Sequence, residues 1–242
     1  RSPVDEDGTY LLGNPLHFAV FAAKVAVGQV DINAKLIADV DLKDLEWQSI
    51  GDHSNSKPYK GTFDGQGYKI TNLTMSDVGG SYNGLFAYVG GTVKNFSVSG
   101  NITTGEADYV GVVGEIDGGI IQNVYSTVNI EAGKGTKHTG GITGGAINSA
   151  QIIGCGYGGT LDVGTNGDSF GGLVGYAGAM TMTGCLFDGV VKGAETNEAS
   201  YVGGLQGYAN TTAVVLNNNI SVGKVLLANA SAISGTFRAN IP

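Results

Sequence analysis

The chain has 242 residues, a formal net charge of −8, 42 glycines, four prolines and two cysteines. Its only arginines are Arg1 and Arg238, so it lacks the basic stripe that a nucleic-acid backbone requires, and no run approaches the roughly 18 apolar residues of a membrane span. Apolar residues make up 42% of the chain, enough for a packed core and against disorder, and glycine lacks the three-residue period of collagen.

Residues 1–7 are polar and read as a segment just after a processing site or an artificial boundary. Asn14-Pro15 then opens a helix, since asparagine caps well and proline suits the first helical position. Leu16, Ala19, Val20, Ala23 and Val27 follow helical spacing, Phe18, Phe21, Ala22 and Val25 widen the apolar surface, and Gly28 is the stop signal. Only His17 and Lys24 form a polar stripe, so the helix is expected to be covered on most sides. A solenoid needs a cap over its first coil, and residues 1–33 fit that role. Residues 34–242 are assigned to the repeats, within one structural domain overall.

The stretch 34–42 alternates as a strand, with Leu36, Ala38, Val40 and Leu42 on one face. Trp47, Ile50 and a polar loop at 51–57 follow. Asp64-Gly65 and Gln66-Gly67 mark a tight turn before a strand at 68–73. From Gly84 a phrase of the form Gly-Leu-x-Gly recurs, led by Gly84, Gly111, Gly141, Gly172 and Gly204 at intervals of 27, 30, 31 and 32 residues. Each repeat carries the phrase, a second strand-like piece some ten residues later, and a shorter third piece. Three short strands per roughly 30 residues, with glycine at the corners, describe one coil of a parallel β-helix; a propeller blade needs four strands and about 40 residues. Parallel crossovers are right-handed, so the expected fold is all-β, a right-handed parallel β-helix with a short N-terminal capping helix. Six or seven rungs at about 4.8 Å make a rod roughly 30 Å long. The loops 131–138, 164–169 and 193–200 absorb the spread in period. Segments 225–227 and 234–237 resemble a degraded further coil, and the lack of an obvious C-terminal cap leads to the expectation that the natural chain continues past Pro242.

Cys155 and Cys185 lie one repeat apart. They read as a small ladder of buried thiols or as a disulfide, for which the strand spacing is slightly wide. Zinc has no matching histidines.

The run Gly-Thr-Phe-Asp-Gly-Gln-Gly-Tyr-Lys-Ile at 61–70, followed by the repeated Gly-Leu-x-Gly phrases, resembles the GLUG-motif repeat proteins over about residues 35–223. Ala87 departs from the fourth residue of the first phrase, and Thr143 and Gln206 occupy the variable third position. The resemblance implies a bacterial secreted or cell-surface protein of adhesin-like type, from a family whose motif also occurs beside immunoglobulin A-cleaving metallopeptidase domains. It implies no catalytic residues.

Several residue sets are candidates for chemistry. Tyr88, Tyr176 and Tyr208 each stand four residues after a leading glycine. Facing outward, such a stripe binds sugar rings through its flat faces; facing inward, it is a packing ladder. Tyr82, Tyr109 and Phe170, two residues before the glycine, form a similar set. Asn95, Asn123 and Asn217 to Asn219 suit repeated turns with an internal amide ladder, and Asn95-Phe96-Ser97 also fits a glycosylation sequon. Asp108, Glu115, Asp117, Asp162, Asp168 and Asp188 could serve a polysaccharide hydrolase, but none recur at one register. A calcium loop at 162–168 is too loose, and His17, His53 and His138 read as ordinary surface or loop residues. No catalytic residue, metal or cofactor is therefore assigned. The expected function is a non-enzymatic extracellular or bacterial cell-surface solenoid, a binding or spacer module towards glycans or surface proteins. The alternative is an accessory or degenerate polysaccharide-active β-helix.

Overall fold

The computed structural model describes residues 3–193 and 201–227. Its strands stack as a parallel β-solenoid, with every named strand ladder among the described residues running parallel. One column passes through Tyr10, Ala34, Phe63, Val93, Ile121, Ile152, Met182 and Leu216. From Ala34 onward that column marks six turns. Ala34 through Met182 are almost fully buried, so the column is a continuous apolar seam of the kind that no single coil could bury alone. The segment 234–237 lies outside the described residues, as does most of the loop 193–200.

The coils contain more strand pieces than the three expected per repeat. One coil runs through Ala150–Ile153, Gly156–Tyr157, Thr160–Val163, Ser169–Gly171 and Val174–Ala177. The second expected piece carries a left-handed residue in each of the five repeats, with φ of 61° at Asn95, 51° at Asn123, 59° at Gly154, 64° at Gly184 and 53° at Asn218; it bends within one strand at the first two and splits into two strands at the last three. Only asparagine and glycine occupy this corner, because both tolerate that conformation. The amides of Asn95 and Asn123 do stack, with Asn123 Nδ2 3.1 Å from Asn95 Oδ1 and Asn95 Nδ2 3.0 Å from Asp64 Oδ1. They stack on the outside of the rod, however, because a left-handed residue points its side chain away from the interior here. Asn219 is the one that turns in, accepting from Cys185 N and donating to the Met182 carbonyl, each at 2.9 Å. The stretch 34–42 is likewise two strands, Ala34–Leu36 and Val40–Asp41, with a bend between them.

The Gly-Leu-x-Gly phrase forms a tight corner. Its second residue is Leu85, Val112, Ile142, Leu173 or Leu205, and all five are at most 6% exposed. Both glycines are dictated by close approach. A Cβ on Gly172 would lie 2.1 Å from the Gly204 carbonyl oxygen and 2.5 Å from the Phe187 ring, and one on Gly144 would lie 2.5 Å from Val110 N.

The helix spans Pro15–Ala26, with the Asn14 side chain accepting from His17 N at 2.9 Å. It seats Phe18 and Phe21 over the open end of the rod, against Trp47, Tyr59 and Phe63 with ring centroids 4.9–6.2 Å apart. Only Phe18, Phe21 and Val25 are buried, whereas Leu16 is 70% and Val27 78% exposed. The helix is thus covered on one face rather than on most sides, because the aromatic positions, not the Leu16 stripe, meet the rod. Tyr10–Leu12 adds a strand beneath Ala34–Leu36, so the N-terminal segment joins the stack as well as capping it.

Cys155 and Cys185 are free thiols, both buried, in successive coils. Each Sγ lies 3.6 Å from a carbonyl of the preceding coil, Ile121 for Cys155 and Ile152 for Cys185, and burial pushes the Cys155 thiol up from its ordinary value.

Candidate functional site

Three residues after the buried aliphatic of each phrase, the chain emerges on the outside of the corner. Tyr88, Glu115, Gly145, Tyr176 and Tyr208 share this register in successive coils. The strand that enters the same corner contributes a second column of Tyr82, Tyr109, His138, Ser169 and Tyr201. The two columns interleave into one aromatic band. His53 stacks on Tyr82 at 3.8 Å; the band continues to Tyr109 at 4.5 Å, His138 at 4.6 Å, Tyr176 at 5.0 Å and Tyr208 at 5.8 Å, with Tyr201 4.5 Å from Tyr208. Tyr88 flanks the start, 5.8 Å from Tyr82 and 5.2 Å from His53. These rings are half-buried: packed on one another and open on the remaining face. Five registers at about 4.8 Å per step give a band about 20 Å long.

Small residues let the rings lean along the rod. A Cβ on Gly145 would stand 2.7 Å from Tyr109 Cε1, so the missing side chain is the seat of that ring. Ser169 is fully buried, and its Oγ lies 2.6 Å from His138 Nδ1.

Glu115 lies beneath the band and is only 3% exposed. Burial, reinforced by Asp117 and opposed by a hydrogen bond from Tyr82, pushes its carboxyl up to about 7. Asp117 accepts from the Tyr88 hydroxyl and, at 2.7 Å, from Asn148 Nδ2. Burial first, and then Glu115, raise the phenols of Tyr82 and Tyr109; burial and the Asp117 bond raise that of Tyr88. The phenols are therefore neutral donors at neutral pH. Burial holds His138 below its usual range, making it a neutral ring in the band. A cavity of about 240 Å³ opens at the His53 end, lined by Trp47, Asp52, His53, Tyr82 and neighbouring backbone.

Ser169, His138 and Asp168 have the composition of a hydrolytic triad, with Asp168 Oδ2 4.0 Å from His138 Nε2. They lack its function, because a nucleophile must reach a carbonyl and Ser169 has no exposed surface. Asp108 is engaged by Lys137 at 2.6 Å and Asp162 by Lys192 at 3.3 Å, and Asp188 meets Tyr125 on another face. Among the described residues no three His, Cys, Asp or Glu side chains group as metal ligands, and no helix is long and apolar enough to cross a membrane, which says nothing of strands.

Tyr88, Tyr176 and Tyr208 thus share one outward register, and Tyr82 and Tyr109 join them from the adjacent column. Phe170 does not: it is fully buried and pairs with Thr139 and Val202. The doubled glycines at 140–141, 171–172 and 203–204 add one residue to the corner, and a shift of one residue turns a side chain to the opposite face. Ser169 takes the place expected of Phe170, and Tyr201 continues the column in the next coil. His53 and His138, read from the sequence as ordinary residues, are members of the band. Glu115, read from the sequence only as one of six scattered carboxylates, shares the register of Tyr88, Gly145, Tyr176 and Tyr208.

No family model matches the chain. Over 100 residues it is 34% identical to a "Putative Gly-rich membrane protein" of Evansella cellulosilytica, a match covering 37% of this chain and 11% of that protein. Over 103 residues it is 32% identical to halomucin of Haloquadratum walsbyi, covering 42% of this chain and 1% of halomucin. The chain therefore spans only a small fraction of these relatives. Among solved structures, a "putative immunoglobulin A1 protease" from Bacteroides ovatus superposes with a TM-score of 0.65 at 20% identity, covering 93% of this chain and 79% of that one, which shows a shared fold.

Proposed function

We propose that the chain is a non-enzymatic, extracellular or cell-surface solenoid of GLUG-repeat type that holds a glycan along its aromatic band. The carrying observation is the continuity of that band: eight half-buried rings, from His53 to Tyr201, joined by centroid distances of 3.8–5.8 Å. Flat ring faces presented along a rigid edge suit the apolar faces of successive sugars, and phenol hydroxyls beside them suit sugar hydroxyls. The rigid parallel stack fixes the ring spacing before any ligand arrives, which lowers the ordering cost of binding. The names of the membrane and mucin-like relatives support a place outside the cell.

The polysaccharide-active alternative draws on Glu115 and Asp117, two residues apart on one strand with Glu115 held up to about 7. A general acid must come within hydrogen-bonding reach of the glycosidic oxygen, and Glu115 lies under the tyrosines instead. The test is a glycan-array screen with and without calcium, combined with an assay for released reducing ends. A reproducible hit without hydrolysis supports the reading. A blank array in both conditions removes the glycan and leaves a surface-protein or spacer role.

A further inference from the structure

The charge around the aromatic band narrows the ligand class, an inference that rests on the glycan reading above. Carboxylates outnumber ammonium groups around the band. Asp117 stands beside Tyr88, Asp108 and Asp168 flank Tyr109, and Asp52 faces the cavity at the His53 end, while Glu115 beneath the band, held up to about 7, adds its charge only as pH rises past that value. Glu115 and Asp168 also act on the Tyr176 phenol, so the field extends past the middle of the band. On the other side of the ledger stand Lys137, tied to Asp108 at 2.6 Å, and Lys57, which acts on Asp52 from an exposed position. His138 adds no charge at neutral pH, because burial keeps it unprotonated. Arg1 and Arg238 lie outside the described residues.

An anionic sugar laid on these rings would meet Asp117 and Asp168, which no lysine pairs directly among the described residues, and no guanidinium among those residues to receive it. A sugar that carries an ammonium would meet the opposite. The π-faces of tyrosine attract a cation held within about 6 Å, and the carboxylates beneath them add to that attraction. Spacing also agrees: the rings repeat along a band of about 20 Å, so that successive amines each find an aromatic face and a nearby carboxylate.

We propose that the band selects amine-bearing glycans, meaning polymers of de-N-acetylated amino sugars, and rejects uronate-type chains. Neutral N-acetylated chains bind through the ring faces alone and are held more weakly.

The test is titration calorimetry of the 242-residue chain near pH 6 and at low salt. The three probes are a glucosamine oligomer, the N-acetylglucosamine oligomer of equal length and a galacturonate oligomer. The glucosamine oligomer is expected to bind about fivefold tighter than its acetylated counterpart, with the gap closing as salt rises, and the galacturonate oligomer is expected not to bind. The variant Asp117→Asn with Asp168→Asn is expected to shrink the amine preference, read as the ratio of the glucosamine and N-acetylglucosamine affinities of that same variant. Equal affinity for glucosamine and N-acetylglucosamine oligomers, or tighter binding of galacturonate, overturns the charge inference and leaves glycan binding standing. Binding of none of the three overturns the amine proposal, and the glycan array then decides separately whether glycan binding stands.

Discussion

The inner and outer columns of one corner differ although they are spaced by the same period. Inside, Leu85, Val112, Ile142, Leu173 and Leu205 are all aliphatic and at most 6% exposed. Outside, three residues later, Tyr88, Glu115, Gly145, Tyr176 and Tyr208 have little in common. The inner column has one task, filling the rod without a void. The outer column is free of that task, and its side chains are arranged with those of a neighbouring column into a single surface. Regularity within the chain thus marks what the coil needs in order to fold, and irregularity marks where something else is built.

Breaking the inner column should cost most. Leu173→Ala leaves a cavity between stacked coils, with an expected loss of about 4 kcal/mol in urea unfolding. The next largest effect has the opposite sign and belongs to the outer column. Glu115 has its folded value raised to about 7, whereas in the unfolded chain it ionises near about 4.3. Folding therefore disfavours the ionised form. The cost is absent below the unfolded value, grows as pH rises and is complete above about 7. Glu115→Gln, which keeps an acceptor for Tyr82, is expected to stabilise the protein by up to about 3 kcal/mol at pH 8 and by nothing at pH 4. Thermal midpoints across that range check both size and sign.

Smaller again is Gly145→Ala, whose Cβ would press on Tyr109 at 2.7 Å. A loss of about 1–2 kcal/mol is expected, with a ring displaced from the band and weakened glycan binding. The smallest effect sharpens the inside of the comparison. Cys155 and Cys185 are buried, so a thiol reagent is expected to leave both untouched in the native protein and to titrate both after denaturation.

The periodic part of this molecule was legible because stacking repeats the same physical demand in each coil. The phrase gave the corners, Asn14-Pro15 gave the helix start, and equal offsets from the leading glycine put Tyr88, Tyr176 and Tyr208 in one register. The rest fails for identifiable reasons. Phe170 was misplaced by one added glycine, a change too small to disturb the period but enough to flip a face. The asparagine ladder was placed inside because a pattern of turn residues does not state which way a left-handed side chain points. Glu115 and His138 belong to the band through neighbours about 30 residues away in the sequence, and no local pattern encodes such a contact.

The most direct test of the aromatic band as a binding face is the double variant Tyr176→Ala with Tyr208→Ala, measured for unfolding midpoint and for binding to whichever glycan the array identifies. The outer position of these rings predicts a modest stability loss of about 1–2 kcal/mol, with affinity reduced more than about tenfold. A variant that keeps full affinity would contradict the account. So would one that collapses as Leu173→Ala does, which would show the tyrosines to be packing and not a platform.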